Sequence, residues 1–310
     1  MSHRDDGARP DPAALADLAV RIVEHVGEVF RHGQHDDERK ADGAENGDGE
    51  TAATSESANG SSGSGEEQRV ADRADLLDTR TKSSEVDPVT RVDIETEDLI
   101  RGLLADLRPG DAILGEEGGG DIAESGITWI ADPVDGTVNL LYGLPLSAVS
   151  LGVVVDGEFV AGAVHALSLG ETYAAHRGGG AWHRREEGAW RRLRASAAGE
   201  LGTALVATGF SYDADVRRQQ GEVLADLLPR VRDIRRLGAA ALDLCHLAAG
   251  RVDAYFERGI KVWDYAAGIV IAREAGADVR VPGSPAQPFV AAPPALFGQL
   301  SEAVGLETGE

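Results

Sequence analysis

Between residues 13 and 30, Leu15, Leu18, Ala19, Ile22, Val23, Val26 and Phe30 recur at helical spacing, and Asp11-Pro12 offers a start. From about His32 to Gly65 that pattern stops, and the chain becomes Gly, Ser, Asp and Glu with almost no large apolar side chain. Such a stretch buries too little to offset the entropy of ordering it, so disorder is expected there. A further helix is expected to begin near Asp75, and an amphipathic one spans 95–107, ended by Pro109-Gly110. Short apolar runs at 112–114, 128–131, 149–155, 159–165 and 171–175 then read as strands, with turns at Asp156-Gly157 and Leu169-Gly170. Helical patterns return at 214–228, 239–249 and 264–275, with strand-like runs at 204–207, 234–236 and 254–257 among them. The pattern predicts a layered mixture of helix and strand that divides near residues 196–201. Four segments follow: an N-terminal helix (1–31), an acidic insertion (32–67), an α+β sub-domain (68–195) and a C-terminal α/β sub-domain (196–310).

Charge changes the picture of partners. The 310 residues carry a formal net charge of -23, and ten acidic against two basic residues between Gly33 and Glu67 supply eight of those charges. The rest of the chain is still clearly acidic, which disfavours nucleic-acid backbones and anionic membranes. No run approaches the ~20 apolar residues of a membrane helix. The start, Met-Ser-His-Arg-Asp-Asp, lacks a signal-peptide pattern, so a cytoplasmic protein is expected. The single cysteine, Cys245, sits in an apolar run and reads as a small core residue, leaving neither an intrachain disulfide nor a cysteine-based zinc site.

Candidate chemistry concentrates in Trp129-Ile130-Ala131-Asp132-Pro133-Val134-Asp135-Gly136-Thr137-Val138-Asn139. Asp132 ends an apolar strand, and Pro133 keeps it extended. Asp135 and the Val134 carbonyl can then turn toward the same point, while Gly136 permits a sharp turn or close approach to a ligand. Thr137 stands where a helix would start, a position suited to phosphate. Carboxylate and carbonyl oxygens without Cys or His suit a hard ion such as magnesium. An ordinary Asx-type turn reads equally well from this fragment alone. Glu116-Glu117 follows the 112–114 strand, and Asp264 opens a helix, where it also reads as a plain N-cap. Lys82, Asp87, Thr90 and Asp93 form a polar cluster or a solvated loop, and Arg177-Gly178-Gly179-Gly180 reads as a tight turn rather than a phosphate loop, since no P-loop Lys-Ser/Thr follows.

Taken in order, Gly115-Glu116-Glu117, Asp132-Pro133-Val134-Asp135-Gly136-Thr137 and Trp263-Asp264-Tyr265-Ala266-Ala267-Gly268 closely resemble the signatures of the inositol monophosphatase family. Asn139 and Tyr142-Gly143-Leu144-Pro145 resemble its bacterial members. The resemblance implies an α+β fold, the layered α-β-α-β-α sandwich of sugar phosphatases, with metal bound in the 68–195 sub-domain. It implies hydrolysis of a small phosphate monoester, foremost inositol 1-phosphate, by a lithium-sensitive homodimer. Glu116, Asp132 and the Val134 carbonyl would hold one magnesium ion, and Asp132, Asp135 and Asp264 a second. A third, looser ion would sit near Glu116. Asp93 and Thr137 would orient the attacking water, with Gly136 and Thr137 amides on the phosphate. Gly238, Ala239, Ala240 and Glu257 would meet the sugar-like ring, although Ala239 lacks the hydroxyl common there in the family, and Lys82 would stand near the metals. Fructose-1,6-bisphosphatase, histidinol-phosphatase and nucleotide 3′-phosphatase activities would use the same metal site, with Arg235 and Arg236 either serving a second phosphate or being strand-end charges. A non-catalytic regulatory protein on this fold is the alternative of another class.

Overall fold

The computed structural model describes residues 10–45, 80–81, 88–284 and 287–306. Lys82, Asp87, the helix expected near Asp75 and the acidic stretch beyond Glu45 lie outside the described residues. Helix α1 (Pro12–Glu45) runs past Phe30, where the apolar pattern ends, into the stretch expected to be without structure. Its continuation reads Arg-His-Gly-Gln-His-Asp-Asp-Glu-Arg-Lys-Ala, a sequence short of apolar residues but with several good helix formers. A two-residue antiparallel pair, β1 (Arg80–Thr81) and β2 (Pro88–Val89), precedes helix α2 (Arg91–Leu107). That helix starts earlier than its periodicity indicates because Thr90 and Asp93 close a reciprocal capping box, with the Thr90 N–H donating to Asp93 Oδ2 at 2.8 Å.

Seven strands form the first sheet, in spatial order β3 (Ala112–Gly115), β4 (Ile127–Asp135), β5 (Ala148–Val155), β6 (Glu158–Ala166), β7 (Glu171–His176), β8 (Gly180–Arg185) and β9 (Arg191–Arg192). Only β3 and β4 run parallel. On one face α1 and α2 bury Leu15, Ile22, Val26, Ile100 and Leu104 against Trp129, Leu151 and Val153. Helix α3 (Thr137–Leu141) is a single short turn leaving β4, and α4 (Ala214–Leu227), α5 (Ala240–Ala248), α6 (Val262–Glu274) and α7 (Pro294–Ala303) follow. Helix α6 crosses the opposite face of the sheet, and every residue from Tyr265 to Ala272 is buried. A helix apolar on all sides belongs between layers, which is where this one lies. It comes very close: a Cβ on Gly152 would stand 2.5 Å from that of Ala266, and one on Gly162 would stand 2.6 Å from the Ala267 Cα.

The second sheet has five strands, ordered β11 (Asp233–Arg235), β10 (Leu205–Thr208), β12 (Ala254–Arg258), β14 (Pro288–Ala292) and β13 (Asp278–Arg280). Helices α5 and α6 fill the space between the sheets around Leu242, Leu244, Tyr255, Ile269 and Phe289. On the outer face, Leu227 of α4 and Leu296 and Leu300 of α7 pack on Val206 and Phe256. The layers therefore run helix, sheet, helix, sheet, helix, as the α+β sandwich requires. Among the described residues no helix is long and apolar enough to cross a membrane.

Candidate active site

Residues 132 and 135 of a regular strand would point to opposite faces, because side chains alternate with a period of two. In β4 the register slips between Asp132 and Asp135, and Pro133 has no N–H to give the ladder. This irregularity changes the phase, and both carboxylates line one cavity of about 120 Å³. Glu116 joins them from the end of the neighbouring parallel strand, where its N–H donates to the Ala131 carbonyl at 3.3 Å. Asp264 reaches the same cavity from the first turn of α6 and accepts from the Lys261 N–H at 2.7 Å. Val134, Gly136, Thr137, Gly238, Ala239, Ala240 and Glu257 complete the predicted lining.

The predicted site residue that does not line the cavity is Asp93. It is fully buried behind Thr137, whose hydroxyl lies 2.9 Å from Asp93 Oδ1 and 3.0 Å from the Val134 carbonyl. A hydroxyl has one hydrogen and two lone pairs. Donation to Asp93 therefore leaves the threonine oxygen able to accept from a molecule in the cavity. At Gly136, φ is 88°, and a Cβ would meet the Leu146 carbonyl oxygen at 2.7 Å, so turn and space both call for glycine.

Ala240 and Ala241, at the start of α5, spend their N–H groups on Asp135 at 3.2 and 2.7 Å. The Asn139 amide ties the two halves of the site by donating to the Leu146 and Leu237 carbonyls at 2.7 and 2.9 Å. Glu257 accepts from the Tyr255 hydroxyl at 2.6 Å. Of the two candidate arginines, Arg236 lines the cavity, whereas Arg235 turns to Asp233 at 2.6 Å. The Gly178 and Gly180 amides each donate to Glu274 at 2.8 Å, which makes the glycine-rich segment a closed turn.

Two contributors escaped the sequence. Glu97, one turn beyond the Asp93 cap, accepts from the Glu117 and Gly118 amides at 2.7 and 2.8 Å and so shapes the loop that presents Glu116. Asp243 lines the cavity from within α5. Both look like ordinary helix residues in sequence, and only the single acidic position in the apolar Ala240–Ala248 run was a signal for the second.

The electrostatics are those of an unneutralised acidic cluster. Burial raises the Asp132 carboxyl well above its usual range, and Glu116, Asp135, Asp264 and Asp93 each raise it further. Burial likewise pushes Asp135 up to about 7, with Glu116 adding to it, against the opposing bonds from Ala241 and Ala240. Asp264 is raised by burial and then by Asp135. Among the described residues no three such side chains stand close enough to enclose an ion without moving. The donor set itself, all carboxylate and carbonyl oxygen, fits a hard divalent cation.

A profile of the inositol monophosphatase family matches residues 19–294. The chain belongs to the inositol monophosphatase family. Within that family it is 50% identical over 234 residues to an inositol-1-monophosphatase of Mycobacterium bovis, covering 73% of this chain and 80% of that protein. It is 39% identical over 207 residues to the Nus factor SuhB of Pasteurella multocida, covering 66% and 75%. The solved structure of Mycobacterium tuberculosis SuhB superposes with a TM-score of 0.72 at 38% identity, covering 96% of this chain and all of that one. Membership of the inositol monophosphatase family makes this a metal-dependent phosphatase site.

Proposed function

We propose that this chain hydrolyses inositol 1-phosphate to inositol and phosphate with magnesium. The observation that carries the reading is the convergence of Glu116, Asp132, Asp135 and Asp264 on one cavity, where burial and the neighbouring carboxylates raise the three aspartates. These four and the Val134 carbonyl would hold two ions, with Asp132 shared and a third, looser ion near Glu116. When bound, magnesium favours ionisation of water and neutralises charge on the leaving oxygen.

The chain's own part is positioning. Thr137 accepts a hydrogen bond from the attacking water and passes its hydrogen toward Asp93, whose other oxygen is fixed by Thr90. The water oxygen forms the new bond to phosphorus, the bond from phosphorus to the ester oxygen on the ring breaks, and that oxygen takes up a proton while the attacking water gives one up. The Gly136 and Thr137 amides would hold the phosphate. Gly238, Ala239, Ala240 and Glu257 would border the ring, with Glu257 accepting from its hydroxyls. The Ala240 amide, already committed to Asp135, serves that border through shape. Lithium sensitivity, a homodimer and a cytoplasmic location belong to the same reading and rest on family membership alone.

Arg236 at the cavity favours one second reading, a substrate with a further phosphate. Phosphate release from inositol 1-phosphate, fructose 1,6-bisphosphate, histidinol phosphate and a nucleotide 3′-phosphate, with magnesium or with chelator, separates these. The expected outcome is magnesium-dependent turnover led by inositol 1-phosphate. Preference for the bisphosphate would transfer the function to the second reading, and no turnover of any would leave a regulatory protein.

A further inference from the structure

Asp243 has no place in the chemistry above, yet it is the least ordinary side chain at the site. It sits in the first turn of α5, and among the helix residues Ala241–Ala248 it is the only carboxylate, the rest being Ala, Leu, Cys and His. It is 1% exposed, and carboxylates are almost never buried so completely without a partner. Its Oδ1 has no hydrogen-bond partner among the described residues. Leaving a buried polar atom unsatisfied destabilises the fold, and a charged one more so. Its surroundings are specific: Glu257 and Asp135 act on it from one sign and Arg236 from the other, and Glu257 and Arg236 line the same cavity.

We propose that Asp243 is a specificity residue that hydrogen-bonds a hydroxyl of the alcohol half of the substrate, in the cavity that Glu257 and Arg236 also line. The inference rests on the inositol phosphate reading and deepens it. The phosphate end of the cavity is served by Gly136 and Thr137 and its acidic cluster. Glu257, assigned to the ring, acts on Asp243 more strongly than Asp135 of the acidic cluster does. An alcohol hydroxyl is both donor and acceptor, so it satisfies an orphaned carboxyl oxygen whether that group is ionised or protonated. Burial, followed by Glu257, raises the carboxyl well above its usual range, which favours the protonated form able to donate as well as accept. A polyol phosphate therefore gains a contact here that a phosphate ester without hydroxyls does not.

The test compares kcat and KM of wild type, Asp243→Asn and Asp243→Ala on inositol 1-phosphate and on 4-nitrophenyl phosphate, which has no alcohol hydroxyl. Circular dichroism and melting establish that each variant is folded, and the asparagine variant keeps the side-chain volume. The expected result is a selectivity ratio, kcat/KM for the inositol ester over that for the nitrophenyl ester, that falls about tenfold or more in Asp243→Ala. The change should lie mainly in KM and be smaller in Asp243→Asn, which can still donate and accept. A ratio that stays constant, whether both rates hold or fall together, overturns the proposal and makes Asp243 a structural residue. Wild-type enzyme that hydrolyses the nitrophenyl ester but not inositol 1-phosphate would instead refute the substrate reading. The ratio is then measured with whichever hydroxylated ester of the panel is turned over.

Discussion

Two sites of buried carboxylate among the described residues behave in opposite ways. Glu171, on β7, has a 7% exposed side chain and takes hydrogen bonds from Arg251 at 2.8 and 3.1 Å and from the Tyr173 hydroxyl at 2.5 Å. Burial alone would raise it, but the Arg251 and Tyr173 bonds prevail and hold it down at about 2. Asp132 is more deeply buried still, and among the described residues the charges that act on it most are other carboxylates, so burial and repulsion together move it up. A fold that needs a buried charge for its own integrity supplies the counter-charge from its own chain, as at Glu171. The cavity cluster is arranged for a counter-charge from outside, and the protein tolerates the repulsion for the sake of the site.

The largest break in that comparison comes from Asp132→Asn. Losing the carboxylate proposed to be shared between two cations should lower kcat/KM by at least about a thousandfold in steady-state assays. The same change relieves repulsion, so the chelated variant should melt no lower than chelated wild type. Glu171→Gln should do the reverse. It removes the carboxylate charge that Arg251 pairs with and should cost about 2–3 kcal/mol in urea denaturation, discounted because Arg251 is 41% exposed. Turnover by the folded variant should stay within about twofold of wild type on this account. Equal effects of the two changes on activity would erase the distinction between the clusters.

A smaller effect sharpens the contrast through pH. Asp135 in the fold keeps its proton up to about 7, whereas the unfolded chain releases it near 3.8. The folded state binds more protons in that window, so this group removes stability as pH rises from about 4 to 7. Glu171 runs the other way: its pKa is depressed from 4.5 to about 2, so its contribution is present above 4.5 and lost as pH falls toward 2. In chelator, the stability of Asp135→Asn relative to wild type should therefore grow from pH 4 to 7. The penalty of Glu171→Gln should shrink below pH 4.5. The Asp135 difference removes the background from His165 and His246, which burial lowers to about 4 and which favour stability as pH rises, while the Glu171 difference also carries the response of His246 and His183, on which Glu171 acts.

The two carboxylate groups were not equally legible in the sequence. Asp132, Asp135 and Asp264 stand at ends of apolar segments, where an acidic residue interrupts a clear period and the eye stops. Glu171 and Arg251 are far apart in sequence, and nothing local joins them. The register slip that brings Asp132 and Asp135 to one side could be inferred from Pro133 only as a possibility of turning. Glu97 and Asp243 were hidden because a single carboxylate in a helix usually faces water. Among the elements, β8 was missed because Gly-Ala-Trp-His-Arg-Arg mixes polar residues into a strand near the sheet edge, paired outward only with the two residues of β9. The strands β13 and β14 and helix α7 were missed as well, since Pro288 and Pro294 mark breaks more strongly than their short apolar runs mark structure. The end of α1 was misplaced because a helix can continue by propensity after its apolar face stops.

The most direct test is the shift in melting temperature on adding magnesium to chelator-treated protein at pH 7.5, for wild type and Asp132→Asn side by side. A cavity built for an external counter-charge predicts a rise of several degrees in wild type that saturates with magnesium and is largely lost in the variant. No rise in wild type, or the same rise in both, would contradict it.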